Sequence, residues 1–235
     1  MKNKIIHVSI AILLILIIGA CSNDDDTITG IRVTYAETKI ENTFFEEGAT
    51  PPPTVHWNGE KGAFSSSSEI VTSGDVKIDK DTGVISWNSY IPLGEVELDI
   101  EVANSSHKIM VKVVINTVFK GDSFFGGGYN NDTSDEPNYS NINVEYYIHF
   151  LDDGTLTLSK PDDPAFSGSG TWQSDGPNMS VRYKTTESTS EELVMVGVIT
   201  SASSGTSFVG VWGDGGFDND GNVRIPNGVF RFLIT

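Results

Sequence analysis

Strict alternation of apolar and charged residues is the feature that most restricts this chain. Between Glu95 and Val102, Val96, Leu98, Ile100 and Val102 alternate with Glu95, Glu97, Asp99 and Glu101. A period of two puts successive side chains on opposite faces of a β-strand, one face toward a core and one toward water. A helix of the same sequence would scatter its four apolar residues around the circumference and bury no face. After Asn104-Ser105-Ser106, the run 108–115 pairs back as a hairpin.

Similar signals run through the rest of the chain, which reads as all-β. Residues 30–35, 54–57, 75–79 and 84–87 form short strands, with Pro51-Pro52-Pro53 closing a loop and Asp81-Thr82-Gly83 making a turn. Short strands with turns about every ten residues indicate a β-sandwich over 30–118. The acidic stripe at 95, 97, 99 and 101 reads as a solvated face rather than a calcium site. Beyond Phe119-Lys120-Gly121 eight more strands are expected, at 123–129, 144–151, 155–159, 168–173, 179–185, 193–200, 208–213 and 229–234. Asp152-Asp153-Gly154 turns the second into the third, and Asp175-Gly176-Pro177-Asn178 the fourth into the fifth. Consecutive hairpin-linked strands favour an up-and-down barrel over 119–235, because closure leaves no open edge. Such a barrel is just wide enough to be filled by side chains or to hold one small ligand, and the sequence leaves both open.

Two resemblances agree with this division. The run Ile78-Asp-Lys-Asp-Thr-Gly-Val-Ile-Ser-Trp87, then Pro92-Leu93-Gly94 and the strand ending Val102-Ala103-Asn104, resembles immunoglobulin-like and cadherin-like domains of bacterial surface proteins. That resemblance implies a spacer or binding module and assigns no functional residue. The run Tyr147-Ile-His-Phe-Leu-Asp-Asp-Gly-Thr-Leu-Thr-Leu158, with Gly170-Thr171-Trp172 and Gly228-Val229-Phe230, resembles lipocalin-like domains of bacterial lipoproteins.

The N-terminus reads as an address. Lys2 and Lys4 precede an apolar stretch over 5–18, with Gly19 and Ala20 at its end, the layout of a secretory signal peptide over 1–20. A membrane span needs about 20 apolar residues, and this run is shorter and broken by His7, Ser9 and Gly19. Ile18-Gly19-Ala20-Cys21 resembles the lipobox of bacterial lipoproteins, which implies cleavage before Cys21 and its acylation by diacylglyceryl and fatty-acyl groups such as palmitate. Residues 21–29 then form an acidic tether. Within it, Ser22-Asn23-Asp24-Asp25-Asp26 resembles the surface-export signal of Bacteroidetes lipoproteins. That resemblance makes Asp24, Asp25 and Asp26 an export signal and places the anchor in the outer leaflet of the outer membrane, with the protein facing the medium. Asp26-Thr27-Ile28 fits the short O-glycosylation pattern of the same group.

Loss of Lys2 and Lys4 with the leader takes the net charge from −17 to −19. Nucleic acid, which needs a basic surface, is excluded as a partner, and anionic headgroups are disfavoured for the same reason. The lipid is thus the one membrane contact expected. Cys21 is the sole cysteine, so the fold rests on packing without a disulfide.

No motif for catalysis, metal or cofactor survives inspection. Gly121-Asp122-Ser123 copies the start of the Gly-Asp-Ser hydrolase motif, but no histidine follows His149 to serve as its base. Gly126-Gly127-Gly128 has no Gly-Lys-Ser/Thr after it, so it reads as a strand closely approached by a neighbour rather than a phosphate loop. In 213–222, Asp218 and Asp220 align with ligand positions of a calcium loop, yet Gly216 and Asn227 stand where its first and last carboxylates belong, and an acidic turn is the better reading. Aromatic side chains are the remaining lead, since their faces stack on sugar rings. Tyr129, Tyr147, Trp172 and Trp212 are the candidate ligand-binding residues, although tryptophans in Gly-x-Trp strands also serve as core. The reading is a lipid-anchored surface protein that captures a glycan or other extracellular ligand and is not an enzyme. A carrier of a small apolar molecule and a hydrolase with an unrecognised carboxylate pair are the alternatives.

Overall fold

The computed structural model describes residues 30–121, 124–187, 192–202 and 205–234. Cys21, the acidic export run and Asp122-Ser123 lie outside the described residues. In chain order the first half contains β1 (Arg32–Thr34), β2 (Lys39–Thr43), β3 (Gly48–Ala49), β4 (Thr54–His56), β5 (Ala63–Ser66), a single helical turn α1 (Glu69–Ser73), β6 (Val76–Ile78), β7 (Ile85–Trp87), β8 (Gly94–Ala103) and β9 (Lys108–Val118). The second half continues with β10 (Phe124–Asn130), β11 (Val144–Phe150), β12 (Thr155–Ser159), β13 (Gly168–Asp175), β14 (Asn178–Thr185), β15 (Leu193–Thr200), β16 (Ser207–Phe217) and β17 (Val223–Ile234).

The first half builds three small sheets, in orders β2-β9-β8-β5, β3-β7-β6 and β1-β4. The alternating strand is β8, paired antiparallel with β9 in the register Leu98↔Val113. Its apolar face shares one core with Ile40 and Phe64 of its own sheet and with Val76, Ile85 and Trp87 of the β3-β7-β6 sheet. Its acidic face is solvated and met by lysines of the neighbouring strands: Glu95 by Lys39, Glu97 by Lys112 and Glu101 by Lys108. Exposed pairs of this kind contribute little stability, so they balance charge along the sheet rather than hold it together. The turn after β8 is closed by Asn104, whose Oδ1 accepts the N–H of Ser106 at 3.0 Å and of His107 at 2.8 Å. Tyr35 ties the first strand to a distant turn by donating from its hydroxyl to the Gly83 carbonyl at 2.8 Å.

The second half is a closed barrel in which β10 through β17 pair antiparallel in sequence order and β17 returns to β10. Alternation sets what points inward. Tyr146, Ile148 and Phe150 of β11 are buried, and with Phe125, Phe208, Phe230 and Phe232 they fill the interior as one cluster. Gly127 and Gly128 of β10 sit where neighbouring strands crowd in. A Cβ on the first would lie 2.3 Å from the Arg231 carbonyl, and on the second 1.8 Å from that of Val144. The turn after β11 is capped by Asp153, whose Oδ1 accepts from the Thr155 N–H at 2.9 Å and its hydroxyl at 2.6 Å.

The barrel end that carries this turn faces the first half. Phe119 lies between them, its ring 5.5 Å from Phe150, 5.0 Å from Trp172 and 5.7 Å from Phe44. Phe44 and Leu93, both from the first half, accordingly pack with the barrel core. Three details differ from the expectation drawn from sequence. β2 and β5 add to the main sheet, β2 by parallel pairing with β9. A helical turn interrupts the β order at Glu69–Ser73. The last hairpin is longer, with β16 reaching Phe217 and β17 starting at Val223.

Candidate functional site

The lengthened hairpin creates the most developed outer surface of the barrel. Register shifts between Trp212/Gly213 and between Asp214/Phe217 bend β16. Gly215 and Gly216 lie at φ +75° and +74°, a region that a Cβ disfavours. The turn beyond is closed by Asp218, whose Oδ1 accepts the N–H groups of Asp220 and Asn222, each at 2.9 Å. Those bonds, that of Asn222 foremost, hold the Asp218 carboxyl below its ordinary range. A carboxylate used this way is a turn cap, which accounts for Asp218.

The hairpin lies against the outer face of β13 and β14, where Arg182 stands 4.4 Å from the centre of the Phe217 ring. Thr171 and Gln173 of β13 and Ser180, Arg182 and Lys184 of β14 point outward, because Val181 and Tyr183 between them are buried inside. Two hollows result, one on each side of the Arg182–Phe217 contact. The first, of about 390 Å³, is bordered by Thr171, Trp172, Gln173, Ser180 and Gly221. The second, of about 560 Å³, is bordered by Lys184, Glu192, Gly215, Gly216 and Arg224. Arg182 and Phe217 line both. An aromatic ring flanked by forked cations and uncharged hydroxyl and amide groups can stack on a sugar ring and hydrogen-bond its substituents.

The four aromatic residues singled out from sequence do not converge. Tyr129 and Trp212 meet inside the barrel at the end remote from Phe119, their ring centres 4.4 Å apart. Tyr129 also stacks on Tyr146, and the two hydroxyls lie 2.7 Å apart. Trp212 is anchored by donating from Nε1 to the Asn130 carbonyl at 2.8 Å. Tyr147 follows the opposite alternation to Tyr146 and faces outward from β11. Trp172 sits at the other barrel end, its Nε1 donating to the Leu151 carbonyl at 3.0 Å, and it alone of the four borders an outer hollow. Sequence reasoning missed Phe217 and Arg182. An aromatic residue set among the glycines and aspartates of 213–222 was the available signal.

Two further polar features stand out. Near Tyr129 and Tyr146 the buried Tyr183 hydroxyl has no hydrogen-bond partner among the described residues, and burial pushes all three hydroxyls above the ordinary phenol value. In the first half, a hollow of about 520 Å³ is bordered by Glu47, Asp75, Lys77, Trp87 and Asn88. The Trp87 indole N–H is buried there without a partner among the described residues, and Gly48 admits the ring because a Cβ would crowd against it.

No group of three or more potential ligating side chains among the described residues is placed to hold a metal ion. No described helix is long and apolar enough to cross a membrane. Comparison of the chain with protein-family models, with curated protein sequences and with solved structures returns no match.

Proposed function

We propose that this chain is a lipid-anchored surface protein that captures a glycan through the outer groove of its barrel. The observation that carries the reading is the pair of hollows around Phe217 and Arg182, open to solvent and bordered by residues that stack on and hydrogen-bond to sugars. The packed interior supports binding outside the barrel and counts against a carrier, since Phe125, Phe150, Phe208, Phe230 and Phe232 take the space a small apolar molecule would need. The carboxyls of Asp79, Asp132, Asp153 and Asp218 are held below their ordinary range by hydrogen bonds, the opposite of what a proton-donating hydrolase acid requires.

In this reading Cys21 carries the anchor, Asp24, Asp25 and Asp26 direct it to the outer face of the outer membrane, and the lipocalin-like and immunoglobulin-like resemblances describe a binding barrel on a spacer. Two acyl chains or more suffice for stable anchoring. Screening residues 22–235 against a glycan array is expected to give hits that Phe217→Ala abolishes. Hits unaffected by Phe217→Ala would move the site elsewhere, and an array with no hits would remove the glycan. Cys21→Ser is expected to stop fatty-acid labelling and release the protein from membranes; continued labelling would overturn the anchor.

A further inference from the structure

The chain as a whole carries 32 acidic against 15 basic residues, yet the larger hollow beside the hairpin reverses that balance. Three basic side chains, Arg182, Lys184 and Arg224, border it, with Glu192 the one carboxylate among the residues that line it. Glu192 pairs with Arg182 at 2.6 Å, but the two side chains are 42% and 45% exposed, so solvent weakens the pair and a competing anion can displace it. Lys184 and Arg224 make no ion pair among the described residues. Arg224 is oriented by donating from Nη2 to the Phe217 carbonyl at 2.9 Å, which leaves the remaining donors of its fork open. Asp218, an acid on the adjoining turn, spends Oδ1 on backbone N–H groups.

Resting on the glycan reading, we propose that this hollow binds the acidic group of an oxyanion-bearing polysaccharide, either a uronate carboxylate or a sugar sulfate. Arg182 and Arg224 supply forked donors that match a planar or tetrahedral oxyanion, and Lys184 supplies a third cation. Phe217 lies beside them to meet the sugar ring. A chain of net charge −17 repels polyanions at long range, so capture of one requires a local patch of opposite sign. The interaction is therefore short-ranged and sensitive to salt.

The full chain, purified in detergent, is titrated by calorimetry with oligogalacturonate, a sulfated galactan, a neutral galactan and polyglutamate. The acidic galactans are expected to bind at least about tenfold more tightly than the neutral one, the difference one charge-assisted hydrogen bond makes. Their affinity should fall as salt rises, and the tighter of the two names the oxyanion. Lys184→Gln and Arg224→Gln should each weaken binding by about tenfold. Lys184 has no ion-pair partner among the described residues, so its variant tests the proposal even if Arg224→Gln disturbs the hairpin. Glu192→Gln should strengthen binding by freeing Arg182, a gain that a merely structural role does not produce. Equal binding of neutral galactan overturns the charge assignment and leaves the glycan reading standing. Equal binding of polyglutamate overturns the sugar. Failure of every polysaccharide overturns both.

Discussion

At the scale of single residues, buried phenols bear on how the fold answers to alkaline pH. The Tyr35 hydroxyl is pushed up to about 12 by burial, and those of Tyr129, Tyr146 and Tyr183 are raised by burial as well. A group whose folded value lies above its unfolded one lends stability that is complete below the unfolded value, here 10.0. That stability is lost as pH rises through the folded value. The expected outcome is a single cooperative alkaline transition above pH 10.0, in which tyrosinate absorbance and loss of the β-sheet circular dichroism coincide. Gradual ionisation of these tyrosines with the sheet signal intact would contradict it. Which of these residues face inward was legible in the sequence: Tyr146 and Tyr147 are neighbours on an alternating strand and must point opposite ways. That Tyr129 lies against Trp212, 83 positions along the chain, was not, because barrel closure between β10 and β17 brings them together.

At the scale of elements, strands bounded by polar residues and turns were legible, 155–159 and 193–200 to the residue. The departures share a cause. Gly213-Asp214-Gly215-Gly216 carries no alternation signal, and it is strand because Pro226 and Ile225 of β17 lie opposite Gly213 and Asp214, and Val223 lies opposite Phe217 just beyond. β2 is likewise fixed by a partner more than 70 positions away, and the five residues of α1 are too few to show helical periodicity. Tertiary pairing, not local propensity, decides such segments. The hairpin's bend depends on two left-handed glycines, which gives a direct test. Gly216→Ala is expected to cost about 1 kcal/mol from the left-handed conformation alone, read as a lower denaturant midpoint. It should also speed amide exchange across 214–222 by loosening Phe217 from Arg182. Unchanged exchange would mean that the hairpin does not depend on this contact.

At the scale of the molecule, Phe119 couples the two halves through Phe44 on one side and Phe150 with Trp172 on the other. Phe119→Ala is expected to destabilise the chain by about 3–5 kcal/mol, as loss of a buried phenylalanine does. Residues 119–235 alone should fold as a barrel with a lower denaturant midpoint than in the full chain. Equal midpoints for the isolated and joined barrel would show that the aromatic junction carries no stability. The parallel pairing of β2 with β9 has a mechanical consequence if the chain is moored at one end and loaded at the other, as proposed. The chain enters β2 and leaves β9 at opposite ends of their shared ladder, from Lys39↔Val114 to Thr43↔Val118. In the proposed reading, tension between a membrane anchor and a polymer gripped by the barrel would therefore draw the two strands lengthwise past each other. Every bond between them bears the load together, where a hairpin pulled from its open end would peel one bond at a time.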